Sequence, residues 1–328
     1  MNNKFLTISI AAYNVAEYIE QALDSLVKSK YIDNLEIFVV DDGGTDSTLE
    51  IANRYQKDFP NSVFCVHKEN GGYGSTVNTS LNLATGKYFK LLDGDDWFET
   101  QSLDQLIEEL KLIDTDVVIT NYKTGPSEFD GKLADFSYIG LNKEQELEKI
   151  DFSKPIGMWA ITYRTQLLKD VQLRLPERMF YTDQYYCTIP FSKAKTIKFL
   201  PISVYFYRIG RDGQSVSRES RIKNIDQTLK ICEDLIVFSN LYKDNKYIQN
   251  RVTYYYLFAI RSILLLPITK INLMKLKEYE DKIKKLSPDI FLFVEDKGKF
   301  GKIIRMLRYS NYFLYWSIKL IPGGLPNW

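Results

Sequence analysis

The 328-residue chain contains a single histidine, His67, and only three cysteines, Cys65, Cys187 and Cys232. One histidine excludes most zinc centres and any chemistry that needs a histidine pair. A Ser-His-Asp triad would have to use His67, and no Gly-x-Ser-x-Gly elbow is present. Placed after Val63-Phe64-Cys65-Val66, His67 reads as a structural residue at a strand end. The cysteines are odd in number and lack metal-ligand spacing. With no signal-like start, they point to a reducing, cytoplasmic setting. Long apolar runs are scarce too. The nearest to a spanning segment, Tyr254 to Ile268, carries Arg261 and Pro267, so no transmembrane helix is expected. The formal net charge is +1, and no basic stripe occurs outside the C-terminal tail. No nucleic-acid partner is therefore expected. Repeats and low-complexity tracts are absent as well.

What is present is an alternation. Phe5 to Ala11 is a β-rich apolar run. Val15, Ile19, Ala22, Leu23 and Leu26 then share one helical face, with Asn14 placed to cap it. Leu35 to Val40 reads as a second strand, Val63 to Val66 as a third and Tyr88 to Leu92 as a fourth. Helices are expected through Leu49, Ala52 and Tyr55, through Val77, Leu81 and Ala84, and from about Ser102 to Leu112. A further strand is expected from Asp116 to Thr120. This order implies an α/β fold with a mostly parallel, Rossmann-like sheet and helices on both faces. Lys123 to Ile150 is polar and broken by Gly125-Pro126 and Gly131, which predicts a variable loop and a connecting helix. From Arg221 onward the pattern is helical. We expect a catalytic domain over residues 1–218 and a helical C-terminal region over 219–328.

In a parallel sheet, ligands bind beyond the carboxyl ends of the strands. Two acidic turns fall there: Asp41-Asp42-Gly43 after the second strand and Asp93-Gly94-Asp95-Asp96 after the fourth. Crowded carboxylates repel unless a cation sits among them. Hard divalent ions such as Mg²⁺ or Mn²⁺ take oxygen ligands and bridge to phosphates. Asp93-x-Asp95-Asp96 is thus a candidate metal and diphosphate site, with a plain capping turn as the alternative. Asn70-Gly71-Gly72-Tyr73-Gly74-Ser75 precedes a helix. It is either a backbone cradle for a diphosphate or a simple turn into that helix.

Taken with Ile8-Ser9-Ile10-Ala11-Ala12-Tyr13-Asn14, Gly44-Thr45-Asp46 and Gly86-Lys87-Tyr88-Phe89, these segments resemble the family 2 glycosyltransferases of GT-A fold. Those relatives include enzymes of bacterial surface-polysaccharide synthesis. The resemblance is specific over residues 5–120 and looser to about Ser217. It implies a nucleotide-sugar site at Ala11, Tyr13, Asp41, Asp42, Gly72, Asn78, Asp93, Asp95, Arg208 and Arg211. Within it, Tyr13 would lie beside the base, Asp42 on the base edge, and Asp93 near the ribose or sugar. Asp95 and Asp96 would hold Mn²⁺ or Mg²⁺. Tyr181-Thr182-Asp183-Gln184 resembles the segment carrying the family's general base, which makes Asp183 the candidate catalytic residue. Trp159 would line the acceptor side. Three departures stand out: Ala11 replaces a usual proline, Val77 a usual arginine, and Thr182 a usual glutamate.

The resemblance implies an inverting transfer from a UDP-sugar to a glycan or lipid-linked acceptor. A sugar nucleotidyltransferase would share the carboxylates, but it needs a basic glycine-rich loop where Ala11-Ala12-Tyr13-Asn14 stands. A degenerate nucleotide-sugar-binding or scaffold protein is the other alternative. The tail, Lys297 to Trp328, interleaves basic with aromatic residues. It reads either as a peripheral contact with the inner face of the plasma membrane, or as a packed helical subdomain or homo-oligomer interface.

Overall fold

The computed structural model describes residues 4–210, 214, 215 and 217–320. The chain forms two compact units, Met1–Asp212 and Gly213–Trp328.

The first unit is built on one ten-stranded sheet. Its N-terminal half comprises β1 (Leu6–Ala12), β2 (Leu35–Asp41), β3 (Val63–His67) and β4 (Tyr88–Asp93). The spatial order is β3-β2-β1-β4, with every pair parallel. The connections are α1 (Ile19–Val27), α2 (Thr48–Asp58) and α3 (Tyr73–Leu83). β5 (Trp97–Phe98), α4 (Thr100–Leu112), β6 (Val117–Gly125), β7 (Lys132–Ala134), β8 (Glu144–Glu146), β9 (Ile161–Arg164) and β10 (Thr196–Arg208) complete the sheet. This second half is mixed: β9 runs antiparallel between β4 and β6, while β6 and β10 are parallel.

Alternation along β1 explains its two covered faces. Leu6, Ile8, Ile10 and Ala12 enter the apolar core with Ile19, Leu23 and Leu26 of α1 and Leu103, Leu106 and Leu110 of α4. Each such aliphatic side chain stabilises the fold by about 1.5–3 kcal/mol. On the other face Thr7 and Ser9 are buried and paired. Ser9 Oγ donates to Ser80 Oγ of α3 (2.8 Å), and Thr7 Oγ1 donates to Glu36 Oε2 (2.6 Å). Glu36 in turn accepts from Thr85 N and Oγ1, fixing the turn into β4.

Two local expectations are corrected. Asn14 does not cap α1, which begins at Ile19 behind Tyr18. Asn14 is left-handed (φ 52°), and its Oδ1 accepts from Thr45 N (2.8 Å), joining the first loop to the turn after β2. The 123–150 segment holds no α-helix among its described residues. It extends β6 to Gly125, then adds β7 beside β6 and β8 beside β10, with 3₁₀ turns between. These pairings are non-local, so periodicity does not reveal them.

The second unit is helical: α7 (Arg218–Lys223), α8 (Ile225–Ser239), α9 (Lys246–Leu264), α10 (Lys270–Leu286), α11 (Pro288–Phe293) and α12 (Gly298–Tyr309), after α5 (Thr165–Asp170) and α6 (Asp183–Tyr186) of the first unit. Its centre is a buried ion pair. Glu280 receives Arg308 through Nε (2.7 Å) and a terminal amino group (2.9 Å), together with the hydroxyls of Tyr312 and Tyr256. The Arg308 guanidinium also lies 3.5 Å from the Phe291 ring centroid. Arg305 pairs with Glu295 and Asp296. Two of the tail's cations are therefore engaged within the unit. Among the described residues no helix is long and apolar enough to cross a membrane.

Candidate active site

Strand register brings the two acidic turns together. Ala11 pairs with Val40 on one side and with Asp93 on the other, and Ala12 pairs with Asp41. Beyond the strand ends the contacts continue: Gly94 N donates to Ala11 O (3.1 Å) and Asp42 N to Ala12 O (2.8 Å). Asp41 and Asp93 thus flank the end of β1, and the exposed Tyr13 follows directly.

The Asp93, Asp95 and Asp96 carboxylates each offer an oxygen, all within 4.8 Å of one another. Asp95 and Asp96 are buried. Burial first, then the charges of Asp93 and Asp95, hold the Asp96 carboxyl well above the usual range. Its own partners are the Tyr205 hydroxyl at Oδ2 (2.6 Å) and Arg208 N at Oδ1 (2.8 Å). A buried set of hard oxygen donors with excess negative charge fits Mg²⁺ or Mn²⁺.

Asp183, at the start of α6, comes from 87 positions beyond Asp96 in sequence, yet it acts on the same groups. The Tyr73 hydroxyl is pushed up by burial and by the charges of both Asp93 and Asp183. Tyr207 is raised by burial and by Asp93, Asp96, Asp95 and Asp183. Two phenols therefore sense the acidic turn and Asp183 at once. Tyr207 also stacks on Trp159, with ring centroids 4.4 Å apart, and Trp159 leans on Tyr122 at 5.2 Å. Trp159, the acceptor-side candidate, is thus packed between Tyr207 and Tyr122.

Other sequence-selected residues are engaged by protein partners. Asp42 is buried and accepts from Lys68 Nζ (2.8 Å), Gly71 N (2.9 Å), Gly72 N (2.7 Å) and Ser75 Oγ (3.2 Å). The loop amides offered above as a diphosphate cradle thus satisfy Asp42 instead, because a buried carboxylate needs donors. Gly72 is left-handed (φ 78°), and a side chain there would meet Arg178 backbone. Asp41 accepts from Gly44 N (3.2 Å) and contacts His67 Nδ1 (2.6 Å), giving His67 the strand-end role expected of it. Asn78 clamps a backbone segment: Nδ2 donates to Leu175 O (2.9 Å), and Oδ1 accepts from Leu175 N (2.9 Å). A Cβ on Gly74 would lie 2.0 Å from Pro176 O, so that helix position admits only glycine without moving the segment. Arg178 N donates to Gly71 O (2.5 Å). The glycine-rich loop and α3 therefore anchor the chain that leads to Asp183. Arg208 donates through Nε to Asp95 O (2.9 Å) and stacks over Trp97 and Tyr18. Arg211 lies outside the described residues.

Sequence reading passed over Lys90. It is fully buried on β4, with Nζ donating to Trp159 O (2.9 Å) and Ile161 O (3.2 Å). Burial pushes its ammonium down to about 7 from 10.5. Between those values the unfolded chain keeps the proton that the folded chain loses, so rising pH favours folding. From pH 7 to 9 this group is expected to add up to about 1.4 kcal/mol per pH unit. Denaturant titrations at pH 7, 8 and 9 should show Lys90→Met lacking that slope relative to wild type. Parallel slopes would contradict the assignment.

Residues 7–165 match the family model described as glycosyl transferase family 2. The matched segment is just under half of the chain and contains both acidic turns. EpsH of Bacillus subtilis is 30% identical over 219 residues, which is 64% of this chain and 62% of EpsH. The poly(ribitol-phosphate) beta-glucosyltransferase of Bacillus spizizenii is 29% identical over 225 residues, covering 65% of this chain and 33% of that protein. The chain thus spans less than two thirds of the length of either relative. Among solved structures, S. aureus TarS 1–349 in complex with UDP-GlcNAc superimposes with TM-score 0.75 at 20% identity, covering 98% of this chain and 92% of that one. The chain has the GT-A fold expected from its sequence, with a helical C-terminal region.

Proposed function

We propose that this chain is an inverting glycosyltransferase. It moves a sugar from a nucleoside-diphosphate sugar, with UDP as the nucleotide, to an acceptor hydroxyl in cell-surface polymer synthesis. The observation that carries the reading is the cluster of Asp93, Asp95 and Asp96 at the end of β4, whose carboxylate oxygens lie within 4.8 Å of one another. Single displacement needs a base near the diphosphate site, and Asp183 is the candidate for it. The UDP-GlcNAc bound by the TarS structure and the glucosyl transfer named for the Bacillus spizizenii relative support the donor class and the polymer context.

In this mechanism Asp183 accepts the proton of the acceptor hydroxyl. The freed oxygen attacks the anomeric carbon from the face opposite the diphosphate. The bond to the diphosphate breaks, the nucleoside diphosphate leaves with the electron pair, and the anomeric configuration inverts. Asp95 and Asp96, with Asp93 beside them, would hold a divalent ion, which when bound offsets negative charge on the leaving diphosphate. Tyr13, Ala11 and Asp41 border the base and ribose. Asp42, Gly72, Asn78 and Arg208 act chiefly by holding the loops in place. Trp159, stacked on Tyr207, forms the acceptor-side floor. For the second unit, the pairing of Arg305 and Arg308 favours a packed subdomain. A membrane contact would have to rest on the exposed Tyr309, Phe313 and Trp316 with Lys299 and Lys302.

Nucleoside diphosphate release from UDP-, GDP- and dTDP-sugars, with Mn²⁺, Mg²⁺ or EDTA, tests the reading. Metal-dependent turnover of one donor is expected. No turnover with any donor, together with no metal-dependent nucleotide binding, would overturn it.

A further inference from the structure

The metal reading leaves open what holds three mutually repelling carboxylates in a ligand arrangement. The acidic turn itself is short: Asp96 N bonds back to Asp93 O (3.0 Å), and the chain then enters β5. Beyond that, its shape is set by β10. Phe98 pairs with Tyr205 and Trp97 with Phe206 in antiparallel register, and the Trp97 and Phe206 rings stack at 4.1 Å. From this frame one hydroxyl reaches both ends of the turn. The Tyr205 hydroxyl donates to Asp96 Oδ2 (2.6 Å) and accepts from Asp93 N (3.1 Å). Tyr205 is fully buried, so neither contact competes with solvent.

We propose that Tyr205 is a positioning residue of the divalent-cation site, fixing Asp96 as a ligand and Asp93 at its strand end through one shared hydroxyl. The inference rests on the metal reading above. It assigns Tyr205 no contact with the ion or the sugar. A bond to one oxygen of a ligating carboxylate, here beside the Arg208 N bond to the other oxygen (2.8 Å), limits which lone pairs face the ion, and removing such a partner typically lowers metal affinity by about 10–100-fold. Tyr205 is well placed for this because its ring is held independently, 5.5 Å from the ring of Phe98 in the core. The hydroxyl position is therefore set by packing and does not depend on the ion.

The test is Mn²⁺ titration into the full chain without nucleotide, with free Mn²⁺ followed by electron paramagnetic resonance. The proteins are wild type, Tyr205→Phe and Asp95→Asn. Phenylalanine keeps the ring and removes one oxygen, and melting in EDTA verifies that the fold is retained. Tyr205→Phe is expected to weaken Mn²⁺ binding about 10-fold or more, with kcat recovering at saturating Mn²⁺ while the acceptor KM stays unchanged. Asp95→Asn should abolish binding. Mn²⁺ affinity in Tyr205→Phe within about two-fold of wild type, a free-energy change under about 0.5 kcal/mol, would overturn the Tyr205 assignment and leave the metal reading intact. Absence of Mn²⁺ binding by wild type would overturn both.

Discussion

Asp183→Asn is expected to lower sugar transfer by about 10²–10⁴-fold, the usual contribution of a positioned general base. Donor affinity should stay within about two-fold, because Asp183 sits on the acceptor side of the reaction in this account. The substitution is nearly isosteric, and Gln184 Nε2, which donates to Asp183 Oδ2 at 2.9 Å, retains an oxygen to meet. The protein should therefore fold as wild type. Initial rates and donor binding by calorimetry separate the outcomes. A rate near wild type would remove Asp183 from the mechanism. A loss of donor binding equal to the loss of rate would assign it to the donor site instead.

Asp95→Asn has the second large effect, and its two halves point in opposite directions. Transfer should fall by about 10³-fold, since charge stabilisation by a bound ion is worth several kcal/mol. Stability without metal should hold or rise, because the substitution removes one of the charges that raise Asp96 and relieves like-charge repulsion. With Mn²⁺ at 100 times its dissociation constant the wild type should gain about 2.7 kcal/mol, and the variant nothing. Thermal melts in EDTA and in Mn²⁺ read both halves. A variant that melts well below wild type in EDTA would mean that Asp95 is a structural turn residue.

The acidic turns after Asp41 and Asp93 were legible in sequence because strand ends are, whereas Asp183 at the start of α6 rests on the family resemblance. Leu6–Ala12, Leu35–Asp41, Val63–His67 and Tyr88–Asp93 are short β-rich runs, the second and fourth closed by aspartate and glycine, and each strand falls within a residue of its expected bounds. Parallel order then brings Asp41 and Asp93 to either side of β1 without further information. The residues that hold the site were not legible, because their partners are remote. Tyr205 lies 109 positions from Asp96, and Asn78 lies 97 from Leu175. Asp42 shows the converse: it follows β2 as expected, but its donors are Lys68, Ser75 and the amides of Gly71 and Gly72, whose glycines suggested phosphate binding. Lys90 escaped notice because a lysine in a strand usually marks an exposed edge. Here its amine satisfies the carbonyls of the turn that carries Trp159. Local pattern therefore located the acidic turns, and only tertiary contact showed how they are supported.

The most direct measurement is a crystal of the wild-type chain soaked with the accepted nucleotide sugar and Mn²⁺, with the ion located by its anomalous signal. The account places Mn²⁺ on the Asp95 carboxylate within the Asp93–Asp96 cluster, the diphosphate among its ligands, and the anomeric carbon between the ion and Asp183. Bound nucleotide with Mn²⁺ elsewhere, or with Asp183 turned away from the sugar, would contradict it.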